Sequence, residues 1–320
     1  MQNLYNKYDY EAIKMLDDFL PDKIFDSHMH ISLFPFCGKE RFGIEEYKKD
    51  MTPIFGQRYI RGMALVAPTE ELKNSVGYSN TLNFFLEELD LHKDFLGSIL
   101  VKPNQSYDEI LSSSRRERIK ALKCYHSYAA RDNTTNADIH EYLSKDALEV
   151  ANKLSLAVII HLVKEKSLSD PMNMQEIKLI AKKYPNAKFV LAHSARAFAA
   201  WTAIDSVSEL VPYENIFFDF SAICESPSVI GILNKIGVSR CMWGSDYNVS
   251  MLLGKAISFG DGFYWLCEKD ITSIQERANI HPRHIIIENL MAIREASKLS
   301  DLSQNDIEDL FYNNACKILE

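Results

Sequence analysis

The sequence predicts an α/β fold in which eight parallel strands close into a barrel, a (β/α)8 TIM barrel with extra N- and C-terminal helices. Eight short apolar runs alternate with segments of helical periodicity along the 320 residues. No hairpin signal such as Asn-Gly separates these runs, so neighbouring strands are expected to pair in parallel through crossovers. A glycine-rich phosphate turn, which would favour an open sheet, is absent, and eight crossover units close more readily as a barrel.

Each predicted strand is a short apolar run bounded by residues that interrupt regular structure. Pro68 and Pro103 close the second and third runs, and Gly237 precedes the eighth. Because the runs are apolar throughout, they are typical of strands covered on both faces. The predicted strands are 24–28, 62–67, 95–101, 119–124, 156–161, 188–193, 215–220 and 239–244.

The predicted helices lie between the strands and carry apolar residues at intervals of three and four. Leu82, Phe85, Leu86 and Leu89 show this spacing after the second strand. The predicted helices are 10–20, 78–92, 107–118, 145–154, 173–184, 198–210 and 228–236. The tail from 261 onward is predicted to be helical, with a final helix at 306–319.

Three long connections are predicted, at 31–60, 125–140 and 247–262. Long loops in a compact fold are often functional, and we expect these to determine which substrate is accepted. No repeat, linker or low-complexity segment interrupts the pattern, so one domain over residues 1–320 is predicted.

Composition excludes several classes of function. The chain has a net charge of −8 and no basic block, which argues against a nucleic-acid partner. No apolar stretch is long enough for a membrane span, and the N-terminus lacks the apolar core of a signal peptide. Six cysteines without a CxxC pair are typical of reduced thiols, so a cytoplasmic protein is expected. The pattern does not decide between a monomer and a homo-oligomer.

Metal-competent side chains close four of the predicted strands. His28 and His30 end the first strand on one face, His161 ends the fifth, His193 ends the sixth, and Asp246 follows the eighth. The carboxyl ends of barrel strands meet at one mouth, where active sites of this fold lie. A lone histidine there is commonly a hydrogen-bonded structural residue, and Asp246 alone could cap a turn. Five such groups converging favour a bound cation.

The chain resembles the amidohydrolase superfamily, and within it the amidohydrolase-2 branch. Five segments carry the resemblance in the family's order from residue 24 to the C-terminus: DSHMH at 26–30, AVIIHL at 157–162, FVLAHS at 189–194, MWGSDY at 242–247 and NNACKIL at 313–319.

The resemblance implies one divalent metal held by His28, His30, His161 and Asp246, with His193 beside it. Zinc is the expected ion, with manganese or another divalent ion as the alternative. Such an ion activates water near neutral pH. Asp246 and His193 are the implied catalytic residues, Asp246 taking the water proton and His193 polarising the electrophile.

Lys123, near the end of the fourth strand, leaves two interpretations open. Binuclear members of the superfamily carry a carboxylated lysine there that bridges two metals, so a second metal is the less favoured alternative. Otherwise Lys123 pairs with a barrel carboxylate or contacts substrate.

Three further residues are candidate contacts for a small-molecule substrate. Arg196 follows His193 by three residues and suits a carboxylate, although it could equally be a solvated arginine beginning the next helix. Tyr125 and Tyr247 follow the fourth and eighth strands and could equally be packing residues.

The predicted function is metal-dependent hydrolysis of an amide, ester or lactone bond in a small carboxylated molecule. Non-oxidative decarboxylation on the same ligands is the alternative, because the same branch contains carboxy-lyases. A barrel that binds a ligand without catalysis is the second alternative.

Overall fold

Eight parallel strands form a nearly closed barrel, as the sequence predicts. The computed structural model describes residues 4–320. The sheet runs β1 to β8 in sequence order, and every neighbouring pair is parallel. The strands are β1 Lys23–Ile31, β2 Tyr59–Val66, β3 Phe95–Leu100, β4 Ile119–Cys124, β5 Ala157–Ile160, β6 Lys188–Leu191, β7 Ile216–Asp219 and β8 Cys241–Met242.

The segment after β8 brings the two ends of the sheet together. The amide of Ser27 donates to the carbonyl of Trp243 at 3.1 Å, and the amide of Asp246 donates to the carbonyl of His28 at 2.8 Å. The amide of His30 donates to the carbonyl of Tyr247. Because β8 itself has only two residues, this irregular segment closes the barrel and carries Asp246 to its mouth.

Side chains fill the barrel from inside and from outside. One cluster, with Phe25, Met63, Ile159 and Met242, packs against the C-terminal residues Ile318 and Leu319. A larger cluster lies between the sheet and the surrounding helices. Strands covered on both faces explain why the sequence shows continuous apolar runs instead of alternation.

Fourteen helical segments lie in residues 4–320, most of them between strands, and one of them, α8, is a single left-handed turn. They are α1 Lys7–Leu16, α2 Ile44–Phe55, α3 Ser75–Leu91, α4 Tyr107–Ser114, α5 Ile139–Tyr142, α6 Lys145–Leu154, α7 Pro171–Lys183, α8 His193–Arg196, α9 Ala200–Ile204, α10 Ser226–Ile236, α11 Glu268–Gln275, α12 Ile285–Leu299, α13 Gln304–Glu308 and α14 Asn314–Leu319. None is long and apolar enough to cross a membrane.

The structure differs from the prediction inside segment 31–60, which contains helix α2. Its buried residues Ile44, Tyr47, Met51 and Ile54 recur at helical spacing. Pro53 lies inside this helix, and a proline there suggests a loop from sequence alone. The predicted helix 198–210 is also broken, into α9 and a 3₁₀ turn at Val207–Leu210.

The prediction that the tail is helical from 261 onward is wrong at its start. Strands β9 Gly254–Phe259 and β10 Gly262–Cys267 pair antiparallel as a hairpin outside the barrel sheet. Gly260 adopts a φ of +61° in the connecting turn, a conformation that glycine reaches without strain. The sequence Gly260-Asp261-Gly262 is a turn signal that the apolar pattern concealed.

The extra N-terminal helix α1 packs on the extra C-terminal helix α12. Asp9 is fully buried, and its carboxylate accepts from the amide of His284 at 2.9 Å and lies 2.7 Å from His284 Nδ1. The prediction of one domain over residues 1–320 stays a prediction, and residues 1–3 lie outside the described part.

Candidate metal centre

Strand β1 and the segment after β8 bring three predicted ligands together. His28, His30 and Asp246 are 0%, 3% and 5% exposed. Asp246 Oδ1 lies 3.2 Å from His30 Nε2 and 3.7 Å from His28 Nε2. Ligand atoms from all three residues lie within 4.8 Å of one another. The two histidines meet the carboxylate because residues two apart on a strand project to the same face.

These donor atoms fit a small divalent cation. A tetrahedral ion with bonds of about 2.1 Å has ligand–ligand edges of about 3.4 Å, close to the separations between Asp246 Oδ1 and the two imidazoles. His28 Nε2 is buried and has no hydrogen-bond partner in residues 4–320. A buried nitrogen without a partner is costly unless it has something to bind, and a cation between the three groups would satisfy it.

Asp219 is a site residue that the sequence analysis missed. It ends β7, and histidines likewise lie near the carboxyl ends of β1, β5 and β6, so this position could have identified it. Its Oδ2 lies 3.1 Å from His28 Nδ1, and its Oδ1 accepts from the amides of His193 and Ser221 at 3.0 and 3.1 Å. Burial acts to raise the pKa of Asp219, but the neighbouring His28 lowers it well below the ordinary range. Asp219 is therefore an ionised partner that orients His28 toward the centre.

His30 is held in the same way from its other ring nitrogen. Its Nδ1 lies 3.3 Å from the Tyr125 hydroxyl, which lies 3.4 Å from the carbonyl of Val66. If His30 carries its proton on Nδ1, it donates to Tyr125, which donates in turn to Val66. This arrangement leaves Nε2 of His30 facing Asp246. Tyr125 thus lies behind a candidate ligand, and its predicted contact with substrate stays a prediction.

Asp26 joins three elements beneath the centre. Its Oδ1 accepts from the amides of His28 and Ser245 at 3.0 and 2.8 Å, and its Oδ2 accepts from the Tyr47 hydroxyl at 2.8 Å. Burial raises its pKa to about 6. Asp26 therefore fixes the backbone that carries His28 and Asp246, and it lies outside the three-residue group.

Burial keeps the candidate histidine ligands neutral. It lowers the pKa of His28 to about 4, and nearby Lys123 adds to the effect. Burial also lowers the pKa of His30 and, most strongly, that of His161. A neutral imidazole offers the lone pair that a metal needs, so these side chains are ready ligands at neutral pH.

His193 and His161 lie beside the three-residue group. The His193 ring is 5.1 Å from the rings of both His28 and His161, measured between centroids. His193 Nδ1 lies 2.9 Å from Ser221 Oγ and 3.1 Å from the Ser221 carbonyl. His161 is half-buried and lies outside the group that shares the 4.8 Å limit. Its predicted role as the fourth ligand stays a prediction.

The turn that carries His193 and Arg196 is left-handed. All four residues of α8 have positive φ, from 49° at Ser194 to 64° at Arg196. This conformation is unfavourable for residues with a Cβ and is often retained at functional sites. The Ser194 hydroxyl donates to the Asp219 carbonyl at 2.8 Å, so the same aspartate that holds His28 also holds this turn.

Lys123 points into the barrel beneath the mouth. Its amine is fully buried, has no hydrogen-bond partner in residues 4–320, and lies 4.8 Å from the centre of the Tyr125 ring. Burial lowers its pKa to about 8, although Asp219 and Asp246 oppose the shift. The alternative that Lys123 pairs directly with a barrel carboxylate is therefore not what the structure shows.

The other two predicted substrate contacts, Arg196 and Tyr247, have different surroundings in the structure. Arg196 is half-buried, and its nearest hydrogen-bond acceptor is the Lys164 carbonyl at 3.5 Å. The Tyr247 side chain is fully buried, and its hydroxyl contacts Lys39 Nζ at 2.8 Å and Asp50 Oδ2 at 2.9 Å. Tyr247 therefore ties the loop after β1 to α2, whereas Arg196 keeps unused donors near the mouth.

Comparisons with solved structures agree with this architecture. An amidohydrolase from Burkholderia multivorans with bound zinc superimposes with a TM-score of 0.61 at 12% identity, covering 92% of this chain and 98% of that chain. A 5-carboxyvanillate decarboxylase from Novosphingobium aromaticivorans, complexed with manganese, gives 0.59 at 11% identity, covering 95% and 97%. At these identities the likeness shows the fold alone.

Two sequence comparisons bear on the family to which the chain belongs. An L-fucono-1,5-lactonase from Burkholderia ambifaria is 28% identical over a segment that covers 35% of this chain and 44% of that protein. The matched segment thus spans less than half of the lactonase. A family model described as amidohydrolase, of the amidohydrolase-2 type, matches residues 26–320. This match includes every candidate ligand and confirms the resemblance seen in the sequence: the chain belongs to the amidohydrolase-2 family.

Proposed function

We propose that this protein is a metal-dependent hydrolase that opens an ester, lactone or amide bond in a small carboxylated molecule. The observation that carries the proposal is the convergence of His28 Nε2, His30 Nε2 and Asp246 Oδ1 around one point at the barrel mouth. The chain's family contains hydrolases and carboxy-lyases, and the partial match to a lactonase favours hydrolysis.

The proposed ligands are His28, His30, His161 and Asp246, and zinc or manganese is the proposed ion. Relatives of this fold contain either zinc or manganese, and imidazole and carboxylate donors suit both. When bound, the ion would supply Lewis acidity and lower the pKa of water. One ion is proposed, because the described residues offer one group of three mutually close donors.

The chain's own residues supply the proton transfers and the charge stabilisation. Asp246, whose Oδ1 lies 3.2 Å from His30 Nε2, is the proposed acceptor of the water proton. His193 is fixed by Ser221 and lies beside His28, where it polarises the electrophilic carbon–oxygen bond. Arg196, with its free donors, binds the substrate's carboxylate.

A panel of carboxylated lactones tests the proposal. The zinc-loaded protein is expected to release one acid equivalent for each lactone opened, measured with a pH indicator. Asp246→Asn is expected to lose at least about a hundredfold in kcat, since it removes the proton acceptor. His140→Ala, an exposed histidine on α5, is the matched control and should keep full activity. Hydrolysis that persists in chelator would contradict the proposal.

Decarboxylation is the second candidate, and one observation favours it. Lys123 and Arg196 are two cationic side chains near the mouth that form no ion pair with a carboxylate in residues 4–320. Two such groups suit a carboxylate that is lost as CO2. Release of CO2 from a carboxylated aromatic acid, without lactone opening, would favour this reaction. Failure to bind metal or turn over either substrate class would instead favour a non-catalytic binding barrel.

A further inference from the structure

A cleft of about 440 Å³ lies outside the barrel sheet, where helix α12 meets strand β9 and the segment after β7. Cys224 and Ala292 at its base are 3% and 5% exposed, and Leu299 at its edge is 66% exposed. None of the residues that line this cleft is a proposed metal ligand or substrate contact. The cleft is therefore separate from the candidate metal centre, and its volume is that of a site for a small molecule.

The cleft is cationic although the whole chain is acidic. Its lining carries four basic side chains and two acidic ones, which gives a formal charge of +2, whereas that of the chain is −8. The basic residues are Lys255, Arg283, Arg294 and Lys298, and the acidic residues are Glu288 and Glu295. Because a local group of cations overrides the net charge of a protein at short range, the cleft can attract an anion that most of the surface repels.

One carboxylate holds two of the four cations. Glu288 Oε1 accepts from Arg283 Nε at 2.6 Å, and Glu288 Oε2 lies 3.2 Å from Lys255 Nζ. The Glu288 side chain is 11% exposed, whereas those of Lys255 and Arg283 are 37% and 30% exposed. Glu288 therefore fixes the position of both cations, and since it supplies one negative charge for two positive ones, this group of three keeps a positive charge.

Arg294 and Lys298 have no partner among residues 4–320, where neither side chain forms an ion pair or a hydrogen bond. The two residues are four apart on α12, so they lie one turn apart on the same face, and their like charges repel. Glu295 lines the same cleft but is not within ion-pair distance of either. An anion between Arg294 and Lys298 would relieve this repulsion and would use donors that are otherwise free.

We propose that this cleft binds the phosphate group of a small phosphorylated molecule, at a site independent of the proposed hydrolysis. Arg294 and Lys298 contact the phosphate, and the apolar part of the ligand lies against Met291 and Cys224. A phosphate monoester is close to a dianion at neutral pH and has three acceptor oxygens, which match two unpaired cations and the planar fork of an arginine. A phosphate ion alone would leave most of the cleft unfilled, so the ligand carries an organic part.

Calorimetric titration of the zinc-loaded protein with phenyl phosphate tests this proposal. Benzyl alcohol, which has the ring without the charge, is the comparison ligand and is expected to bind at least about tenfold more weakly. Arg294→Gln and Lys298→Gln are each expected to weaken the binding of phenyl phosphate about tenfold, as the loss of one charge-assisted hydrogen bond would. Neither residue belongs to the candidate metal centre, so both variants should keep the wild-type kcat for hydrolysis.

Lys235→Gln is the matched control, because Lys235 is an exposed lysine on α10 that lies outside the cleft and loses the same charge. Glu295→Gln is expected to tighten the binding of phenyl phosphate about twofold by removing an opposing charge, a gain that misfolding cannot produce. An equal loss of affinity in Lys235→Gln, or equally tight binding of benzyl alcohol, would overturn the proposal. Binding that vanishes with chelator but survives Arg294→Gln would also overturn it, because phenyl phosphate would then be bound at the ion.

Discussion

At the residue scale, three of the four histidines at or beside the candidate centre have their Nδ1 atom in contact with another side chain. His28 Nδ1 lies against Asp219, His30 Nδ1 against Tyr125, and His193 Nδ1 against Ser221. These contacts fix the orientation of each ring. They also explain why neutral histidines can face one another in a buried site.

Replacement of Asp219 by asparagine tests this orientation. Asp219→Asn keeps the shape but removes the charge that holds His28, so zinc affinity is expected to fall about 10–100-fold. Competition with a chromophoric chelator measures the affinity. Asp205→Asn, an exposed aspartate after α9, is the control. Unchanged zinc affinity in Asp219→Asn would show that His28 needs no such partner.

A substitution at Gly244 tests how tightly the residues around His28 are packed. A Cβ at this position would lie 2.7 Å from the Cβ of His28 and 3.1 Å from its backbone nitrogen, so β1 would have to move. Gly244→Ala is expected to cost about 1–3 kcal/mol in the free energy of unfolding and to weaken zinc binding. Urea unfolding and zinc titration measure the two effects. Gly262→Ala meets no atom within 4 Å and is the control.

The sequence predicted most of these residues because strand alternation and strand ends are readable from pattern. His28, His30 and Asp246 meet as expected. The left-handed turn at His193 and the two-residue length of β8 could not be predicted, because no periodicity encodes them. Asp219 was missed because a single aspartate after an apolar run is also typical of a turn.

At the scale of elements, the sequence-based prediction was best for the barrel strands and weakest for segments that lie outside the repeating strand–helix unit. Buried parallel strands leave continuous apolar runs, so all eight were located. Helix α2 has helical spacing but contains Pro53, which suggests a loop, and strand β10 carries two half-buried aromatic residues, which do not give the alternation of a half-buried strand.

The contact between α1 and α12 gives a prediction at this scale. Asp9→Ala is expected to lower the free energy of unfolding by about 3 kcal/mol, because it leaves His284 and the amide of Asn6 without their buried acceptor. Urea unfolding followed by circular dichroism measures it. Glu11→Ala, on the exposed side of α1, should change it by less than about 0.5 kcal/mol. Equal effects of the two variants would contradict the assigned role.

The stabilisation that Asp9 gains from His284 depends on pH. Burial acts to raise the pKa of Asp9, but hydrogen bonds from His284 lower it below its ordinary value of 3.8. A depressed pKa means that the unfolded chain binds more protons in acid. The stabilisation is therefore complete above pH 3.8 and is lost as pH falls through the folded-state pKa. In the Asp9→Ala variant, this part of the decrease in the free energy of unfolding at low pH should be absent.

At the scale of the whole molecule, the barrel joins ligands that lie more than 200 residues apart. His28 and Asp246 come from opposite ends of the sheet, so a bound ion would hold the closing seam between β1 and the segment after β8. Zinc at a thousandfold excess over its dissociation constant is expected to raise the free energy of unfolding by about 4 kcal/mol. Urea unfolding with zinc and with chelator measures the difference. The His28→Ala variant should show little of this zinc-dependent increase in the free energy of unfolding.

Anomalous scattering from crystals grown with zinc would locate the ion and count the sites in each chain. Data collected on both sides of the zinc edge are expected to show one peak per chain, about 2.0–2.2 Å from His28 Nε2, His30 Nε2 and an oxygen of Asp246. Two peaks bridged by Lys123 would replace the single-ion site with a binuclear one. A peak away from these three residues, or none, would contradict a metal centre formed by His28, His30 and Asp246.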